Sequence, residues 1–299
     1  TNEILLDMTF LEGNLTTGHR TSIRSGLPTP TWRKLYGGVQ PTKSRAVQVT
    51  DNTGMMEDYS EVDKALVDMA GNPAGFRLQE DRPHIEGMNQ EFASTLFYGD
   101  ESTAPEEFTG LSARYNSLSA ENGDNIINGG GSGSDNASIW LICWGPNTCH
   151  GIIPKGSMAG VQQRDLGEVT LENADGANGR MQAYRTHYRW DVGLSVRDWR
   201  YAVRIANIDR SALTYNAASG AIINDLMHQA WTELPSTSAG RCAWYMDKSI
   251  LSMLRRQTSS AVSSSTLSVD MVGGTMQTSW GGIPIRRCDA LRGNEATVS

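Results

Sequence analysis

The stretch Tyr184–Ala206, YRTHYRWDVGLSVRDWRYAVRIA, decides how the chain is read. Tyr184, Thr186, Tyr188, Trp190, Val192, Leu194 and Val196 alternate with Arg185, His187, Arg189, Asp191, Gly193, Ser195 and Arg197. A period of two sends successive side chains to opposite faces of a strand. Past Asp198 the phase flips, and Trp199, Tyr201, Val203 and Ile205 become the apolar set against Arg200, Ala202, Arg204 and Ala206. A one-residue slip of this kind marks a bulge or a sharp bend. The segment therefore reads as one very long bent strand, or as two strands meeting near Arg197-Asp198. At ~3.3 Å per residue it would reach about 70 Å. Ordinary strands run to roughly 5–6 residues, so a sheet this long belongs to an elongated protein rather than a compact enzyme.

Upstream, Ile139–Trp144 is an unbroken apolar run suited to a buried strand. It follows ENGDNIINGGGSGSDNAS at 121–138, whose Gly, Asn and Ser content predicts a flexible loop. Ile85, Met88, Phe92 and Leu96 form a helical stripe, with Leu78 seven residues earlier. The predicted helix ends near Tyr98 and either starts near Asp81 or kinks at Pro83. Ser60 reads as the N-cap of a shorter helix that carries Val62, Ala65, Leu66 and Met69 and stops at Gly71. Val47 and Val49 against Gln48 and Thr50 predict a strand over 43–53, with Thr31–Tyr36 as its hairpin partner across Gly37-Gly38. Residues 1–30 lack periodicity and end in GLPTP, as expected of an arm laid over a surface rather than a packed element. Removing residues 1–25 should then leave a folded chain. Downstream, the pattern predicts a helix over Ala217–Leu234, a strand over Arg241–Tyr245 and a helix capped by Asp247. Thr275–Trp280 and Ile283–Asp289 read as a hairpin about Gly281-Gly282. Helices and strands mix without a steady βαβ alternation, which predicts an α+β fold.

The 299 residues are 38% hydrophobic and 20% charged, a globular composition with enough chain for a sizeable core. No run of ~18 apolar residues occurs, so no membrane-spanning helix is expected. The opening TNEILLDMTFLEGN carries acids where a signal peptide carries bases. Four cysteines, Cys143, Cys149, Cys242 and Cys288, without a secretory signature predict reduced thiols. A net charge of −7 argues against a sequence-specific reader of nucleic acid. That charge is uneven. Residues 1–50 carry six Lys or Arg against three Asp or Glu, whereas residues 51–110 carry fourteen Asp or Glu against three Lys or Arg. These are two solvated surfaces, or a basic segment of one copy lying over the acidic segment of another. In the second case Arg33, Lys34 and Arg45 are the candidate inter-subunit contacts.

Catalytic constellations are missing. Neither GxSxG nor HExxH occurs. His19, His84, His150, His187 and His228 sit in unrelated contexts. Gly151–Ser157, GIIPKGS, imitates a phosphate loop, but Lys155 precedes the second glycine instead of following it. GGGSG at 129–133 lacks the strand–turn–helix setting of a dinucleotide site. Cys143, Cys149 and His150 are close in sequence without the paired spacing of a zinc site. Glu106-Glu107 lies in a polar stretch. No catalytic, cofactor or metal site is expected.

Several segments in combination resemble the major capsid proteins of tailed bacteriophages, in particular a short-tailed group. They are GLPTPTWRKLYGGVQPTKS at 26–44, MNQEFASTLFYGD at 88–100, SIWLICWGPNTCHGIIPKG at 138–156, VGLSVRDWRYAVRIANID at 192–209 and GGIPIRRCDAL at 281–291. The resemblance spans nearly the whole chain. It implies a Hong Kong 97-like fold with an N-terminal arm (1–30) and an extended loop hairpin (31–57) that overlaps a neighbour. A peripheral domain with the spine helix would comprise 58–124 and 181–209, and an axial domain 125–180 and 210–299. It implies a non-enzymatic protein that self-assembles, through hexamers and pentamers, into an icosahedral head around double-stranded DNA. Portal and scaffold proteins would be partners, with a decoration protein a further one and only non-specific contact to DNA. Assembly would begin in the host cytoplasm. No membrane and no cofactor are implied. Some relatives cross-link through a Lys–Asn bond, but no motif here assigns such a pair. An encapsulin-type nanocompartment shell is the alternative, and a hydrolase or binding protein of unrelated fold a third reading.

Overall fold

The computed structural model describes residues 2–174, 176–216, 220–260, 267–272 and 275–299. A helical turn α1 (Ile4–Asp7) and strand β1 (Phe10–Glu12) lead into a hairpin of β2 (Gly18–Gly26) and β3 (Arg45–Asp63). Helices α2 (Lys64–Met69) and α3 (Pro73–Tyr98) follow, then the turn α4 (Leu111–Arg114). Strands β4 (Ile126–Asn128), β5 (Asn136–Trp144), β6 (Cys149–Ile153), β7 (Gln162–Glu172), β8 (Arg180–Val196) and β9 (Ala202–Asp209) occupy the middle of the chain. Helix α5 (Ile223–Glu233), strand β10 (Arg241–Met246), helix α6 (Lys248–Ser260) and strands β11 (Leu267–Val272), β12 (Thr275–Trp280) and β13 (Ile283–Arg287) complete it. Among the described residues the strands join in the order β11-β12-β13-β10-β5-β6-β8-β3-β2, with β1 on β6, β4 on β9, β9 also on β5, and β7 on β8.

The deciding stretch is two strands, parted by a single 3-10 turn at Trp199–Tyr201. Its phase flip has a different cause from a register slip. Ala202 and Ala206 join the same core as Tyr188, Trp190, Val192, Leu194 and Val196, so the even-numbered positions keep their side. Val203 and Ile205 enter a second core on the opposite face. On β8 the odd-numbered face carries arginines and histidine, whereas on β9 that face is covered by α5 and α6. The apolar set changes sides because the second face becomes buried.

Two cores therefore sandwich the middle of the sheet. In β5, Trp140, Ile142 and Trp144 enter the first core, while Ile139, Leu141 and Cys143 enter the second. Burial on both faces explains the unbroken apolar run in the sequence. The first core rests on α3, whose Phe92 is fully buried with its ring centroid 4.7 Å from that of Trp190. In the second, α5 contributes Ile223, Leu226, Met227 and Ala230, and α6 contributes Ile250 and Leu254.

Several expectations are corrected. Thr31–Tyr36 is not a strand; the partner of β3 is β2, with His19 opposite Asp51 and Ile23 opposite Val47. Ser60 lies inside β3 rather than capping a helix, and α2 is capped by Asp63, whose carboxylate accepts from the Ala65 N–H. Of the two readings of α3, the start near Asp81 is set aside and the longer helix holds, since it starts at Pro73 and carries Pro83 internally. Of its predicted stripe Met88, Phe92 and Leu96 are buried, but Leu78 and Ile85 are 54% and 42% exposed. The glycine-rich stretch at 121–138 includes β4 and the start of β5. The N-terminus is packed rather than draped, since Ile4 and Met8 are buried in the first core and β1 pairs in parallel with β6. The helix expected from Ala217 begins at Ile223, and residues 217–219 lie outside the described residues. The hairpin about Gly281-Gly282 is present, both glycines having positive φ of 58° and 79° as a tight two-residue turn requires.

Candidate interaction surface

Residues 13–50 contain six Lys or Arg and no Asp or Glu, and they fold into the β2–β3 hairpin and the long loop 27–44 at its end. Leu27, Trp32, Leu35 and Tyr36 on this loop are 76%, 105%, 88% and 107% exposed. Tyr36 adopts a positive φ of 61° beside a turn in which the Gly37 N–H donates to the Lys34 carbonyl at 3.0 Å. An exposed cluster of two aromatics and two leucines among arginines and lysines is the composition of an interaction site. Arg33 and Lys34 lie beside Trp32 and Leu35, and Arg45 opens β3 opposite Gly26. All three are exposed, and among the described residues they form no ion pair. Arg33 and Lys34 lie on the loop 27–44 and Arg45 at the strand end where that loop rejoins the hairpin, and none has an acidic partner among the described residues.

The hairpin is tied to the body at its root. Asp51 is buried, accepting from Arg114 Nη1 at 2.8 Å and from Ser195 Oγ at 2.7 Å. Gly18 is required here, because a Cβ would stand 2.3 Å from the Asp51 carbonyl oxygen. His150, also buried, faces His19 across ring centroids 5.8 Å apart. Burial, and secondarily the neighbouring His19, pushes the His150 pKa down to about 4.

Beyond the root, β3 pairs with β8 as a charge ladder. Glu61 lies opposite Arg185, Tyr59 opposite His187 and Glu57 opposite Arg189. Arg185 Nε donates to Glu61 Oε1 at 2.7 Å, and the rings of Tyr59 and His187 stack at 4.6 Å. On the other face Asp58 pairs with His84 of α3 at 2.7 Å, and Arg77 of α3 with Asp165 of β7 at 2.8 Å. Leu66 and Met69 of α2 and Leu78 and Ile85 of α3 remain exposed, the last two where the core-facing stripe of α3 runs past the body, within the most acidic part of the chain.

The motifs that imitate chemistry do not assemble. Cys143 and Cys149 belong to different cores, so they and His150 do not converge on one point. The GIIPKGS stretch runs from β6 into a loop and then β7, with no helix N-terminus to receive a phosphate, and the Gly156 N–H donates to the Glu12 carboxylate at 3.1 Å. Sequence reasoning missed the Asp51–Arg114–Ser195 anchor and a buried ion pair between Arg204 and Glu295 (2.7 Å). Neither has a local signal, because each joins residues far apart in the chain.

The fold is shared with a solved bacteriophage structure. The structure of bacteriophage Epsilon15 matches with a TM-score of 0.75 and 35% identity, over 100% of this chain and 90% of that one. Weaker likenesses are to the capsid of a native GTA particle (8% identity, TM-score 0.47, 68% of this chain and 89% of that one). The SrpI encapsulin of Synechococcus elongatus PCC 7942 gives 9% identity and a TM-score of 0.47, over 68% of this chain and 86% of that one. No curated protein sequence matches the chain. A fold shared over the full chain at this identity defines a shell-forming structural protein of a tailed phage. More particularly, the family described as "Major capsid protein GP7" matches residues 1–299, and the chain belongs to that family. Many copies of it build the capsid, and its place is the virion. These matches favour the phage head over the nanocompartment alternative.

Proposed function

We propose that shell formation proceeds by insertion of the basic hairpin tip of one subunit against the exposed apolar residues of α2 and α3 of a neighbour. The observation that carries this reading is the tip itself, where Trp32, Leu35 and Tyr36 are fully or almost fully in water in the folded chain. Each of these side chains gains about 1.5–3 kcal/mol when buried. Leu66, Met69, Leu78 and Ile85 are the apolar counterpart, and the surrounding acids complement Arg33, Lys34 and Arg45. Exposed ion pairs give only ~0–1 kcal/mol each, so the bases set register and partner choice while the apolar side chains hold the contact. The layout is the Hong Kong 97-like one, with the extended loop formed by β2, the loop 27–44 and β3 rather than by residues 31–57 alone, the first residues packed on the body, and peripheral and axial parts beyond them. Subunits gather as hexamers and pentamers of an icosahedral shell around double-stranded DNA, which they touch without reading its sequence. Scaffold and portal proteins are the expected assembly partners in the host cytoplasm, with a decoration protein a further one, and the subunit catalyses no reaction.

The test pairs two variants. Trp32→Ser with Leu35→Ser should give a folded chain by circular dichroism that sediments as small species instead of shells. Leu78→Glu with Ile85→Glu should do the same from the other side. Shells of normal yield from either variant would overturn the docking.

A further inference from the structure

We propose that Cys143 and Cys242 are a disulfide-forming pair, an intrachain covalent site that closes when the folded subunit meets an organic disulfide as oxidant. The two residues are direct partners across the antiparallel pair β5–β10. Residues so placed have Cα atoms about 4.5 or 5.5 Å apart, according to which kind of antiparallel site they occupy. Both spacings fall within the ~4.4–6.8 Å that disulfides span, so closure needs no strand movement. The side chains also share a face, Cys143 lying in the second core and Cys242 packing against it. Cys149 and Cys288 belong to the first core and are not candidates for either partner. All four thiols are free in this structure.

The chemistry divides the roles. The interaction of the two thiols pushes the Cys143 pKa up, with burial adding to it, and draws the Cys242 pKa down. The proton therefore stays on Cys143, and Cys242, the half-buried member, is the first nucleophile. Its thiolate attacks one sulfur of the oxidant RSSR, forming a mixed disulfide and expelling RS⁻. Cys143 then attacks Sγ of Cys242, the new S–S bond forms, and the second RS⁻ leaves. The two thiol protons end on two RSH, so the protein is oxidised by two electrons and the reagent reduced by two. A shell assembled in a reducing cytosol would close this bond only after release into an oxidising medium; that consequence, unlike the bond itself, rests on the virion reading.

The link would enclose about a hundred residues, including β6 to β9 and α5, and so restrict the unfolded chain. A rise in melting temperature of roughly 3–8 °C is expected on oxidation. The experiment treats the full chain with oxidised glutathione, blocks remaining thiols with N-ethylmaleimide under denaturing conditions, and analyses peptides by mass spectrometry. A Cys143–Cys242 peptide pair lighter by two hydrogens, with Cys149 and Cys288 alkylated, is the predicted result. Cys143→Ser should trap glutathione stably on Cys242, and Cys242→Ser should leave Cys143 alkylated. Four alkylated cysteines in the wild type, or glutathione remaining on Cys242 with Cys143 free, would overturn the proposal. Neither readout requires shells to form, so failure here is separable from failure of the assembly reading.

Discussion

Replacing Glu295 with Ala should cost more than any exposed charge in the chain. Its carboxylate meets Arg204 Nη2 at 2.7 Å, and both side chains are only 5% exposed. It also accepts from Tyr98 Oη at 2.5 Å and from Ser138 Oγ. Arg204 further donates to the Tyr115 carbonyl at 2.7 Å and to Ser138 Oγ at 3.1 Å. One carboxylate thus ties the C-terminal segment to α3, β5 and β9. Removing one partner of a buried pair strands the other charge, at about 3–5 kcal/mol, against a total stability of about 5–15 kcal/mol. Guanidinium unfolding followed by tryptophan fluorescence reads this directly, since the Arg204 guanidinium stands 5.4 Å from the centroid of the Trp140 ring. Replacing the pair together, Arg204→Met with Glu295→Leu, should cost less than Glu295→Ala alone, because no charge is then left unpaired. A loss below about 1 kcal/mol for Glu295→Ala would refute the argument.

Two further outcomes follow from other buried groups. Deleting residues 1–25 removes Ile4, Met8, β1 and β2, together with the Asp7 carboxylate that accepts from Arg286 Nε at 3.1 Å. The product should be unfolded or insoluble by circular dichroism, not a folded subunit that merely fails to assemble, and a cooperative native-like melt would contradict this. His150 keeps its ring neutral in the folded chain down to about pH 4, whereas its ordinary pKa is 6.5. As pH falls through that window the unfolded chain takes up the proton first, so this group's contribution is complete above 6.5 and is lost towards 4. The shift corresponds to roughly 3 kcal/mol at most. His150→Gln should flatten the stability curve there relative to the wild type, and parallel curves would rule out His150 as the cause.

The middle of the sheet was legible because burial leaves a periodic trace. Ile139–Trp144 and the alternation from Tyr184 announced β5 and β8, and the glycine pair at 281–282 announced the last hairpin. The second half of β3 was misread as a helix start because its outward positions are acids, Glu57 and Glu61, instead of apolar residues. Their stabilisation comes from Arg185 and Arg189 on β8, more than a hundred residues away, and no local pattern encodes that. Leu78 and Ile85 carried a core-like helical stripe but are exposed in the single chain. Periodicity reports apolarity, not whether the covering surface belongs to the same molecule. The basic tip is visible as charge, but its strand partner is not, because β2, GHRTSIRSG, has Ile23 as its only large apolar residue and so no alternation to mark it.

The most direct test of the central claim is electron microscopy of the purified chain, alone and with the scaffold protein proposed as its assembly partner, after size exclusion. A shell subunit predicts closed, regular particles of very many chains, lost in the Trp32→Ser, Leu35→Ser variant while its fold is kept. A chain that stays monomeric under both conditions, with the wild-type tip intact, would contradict the account.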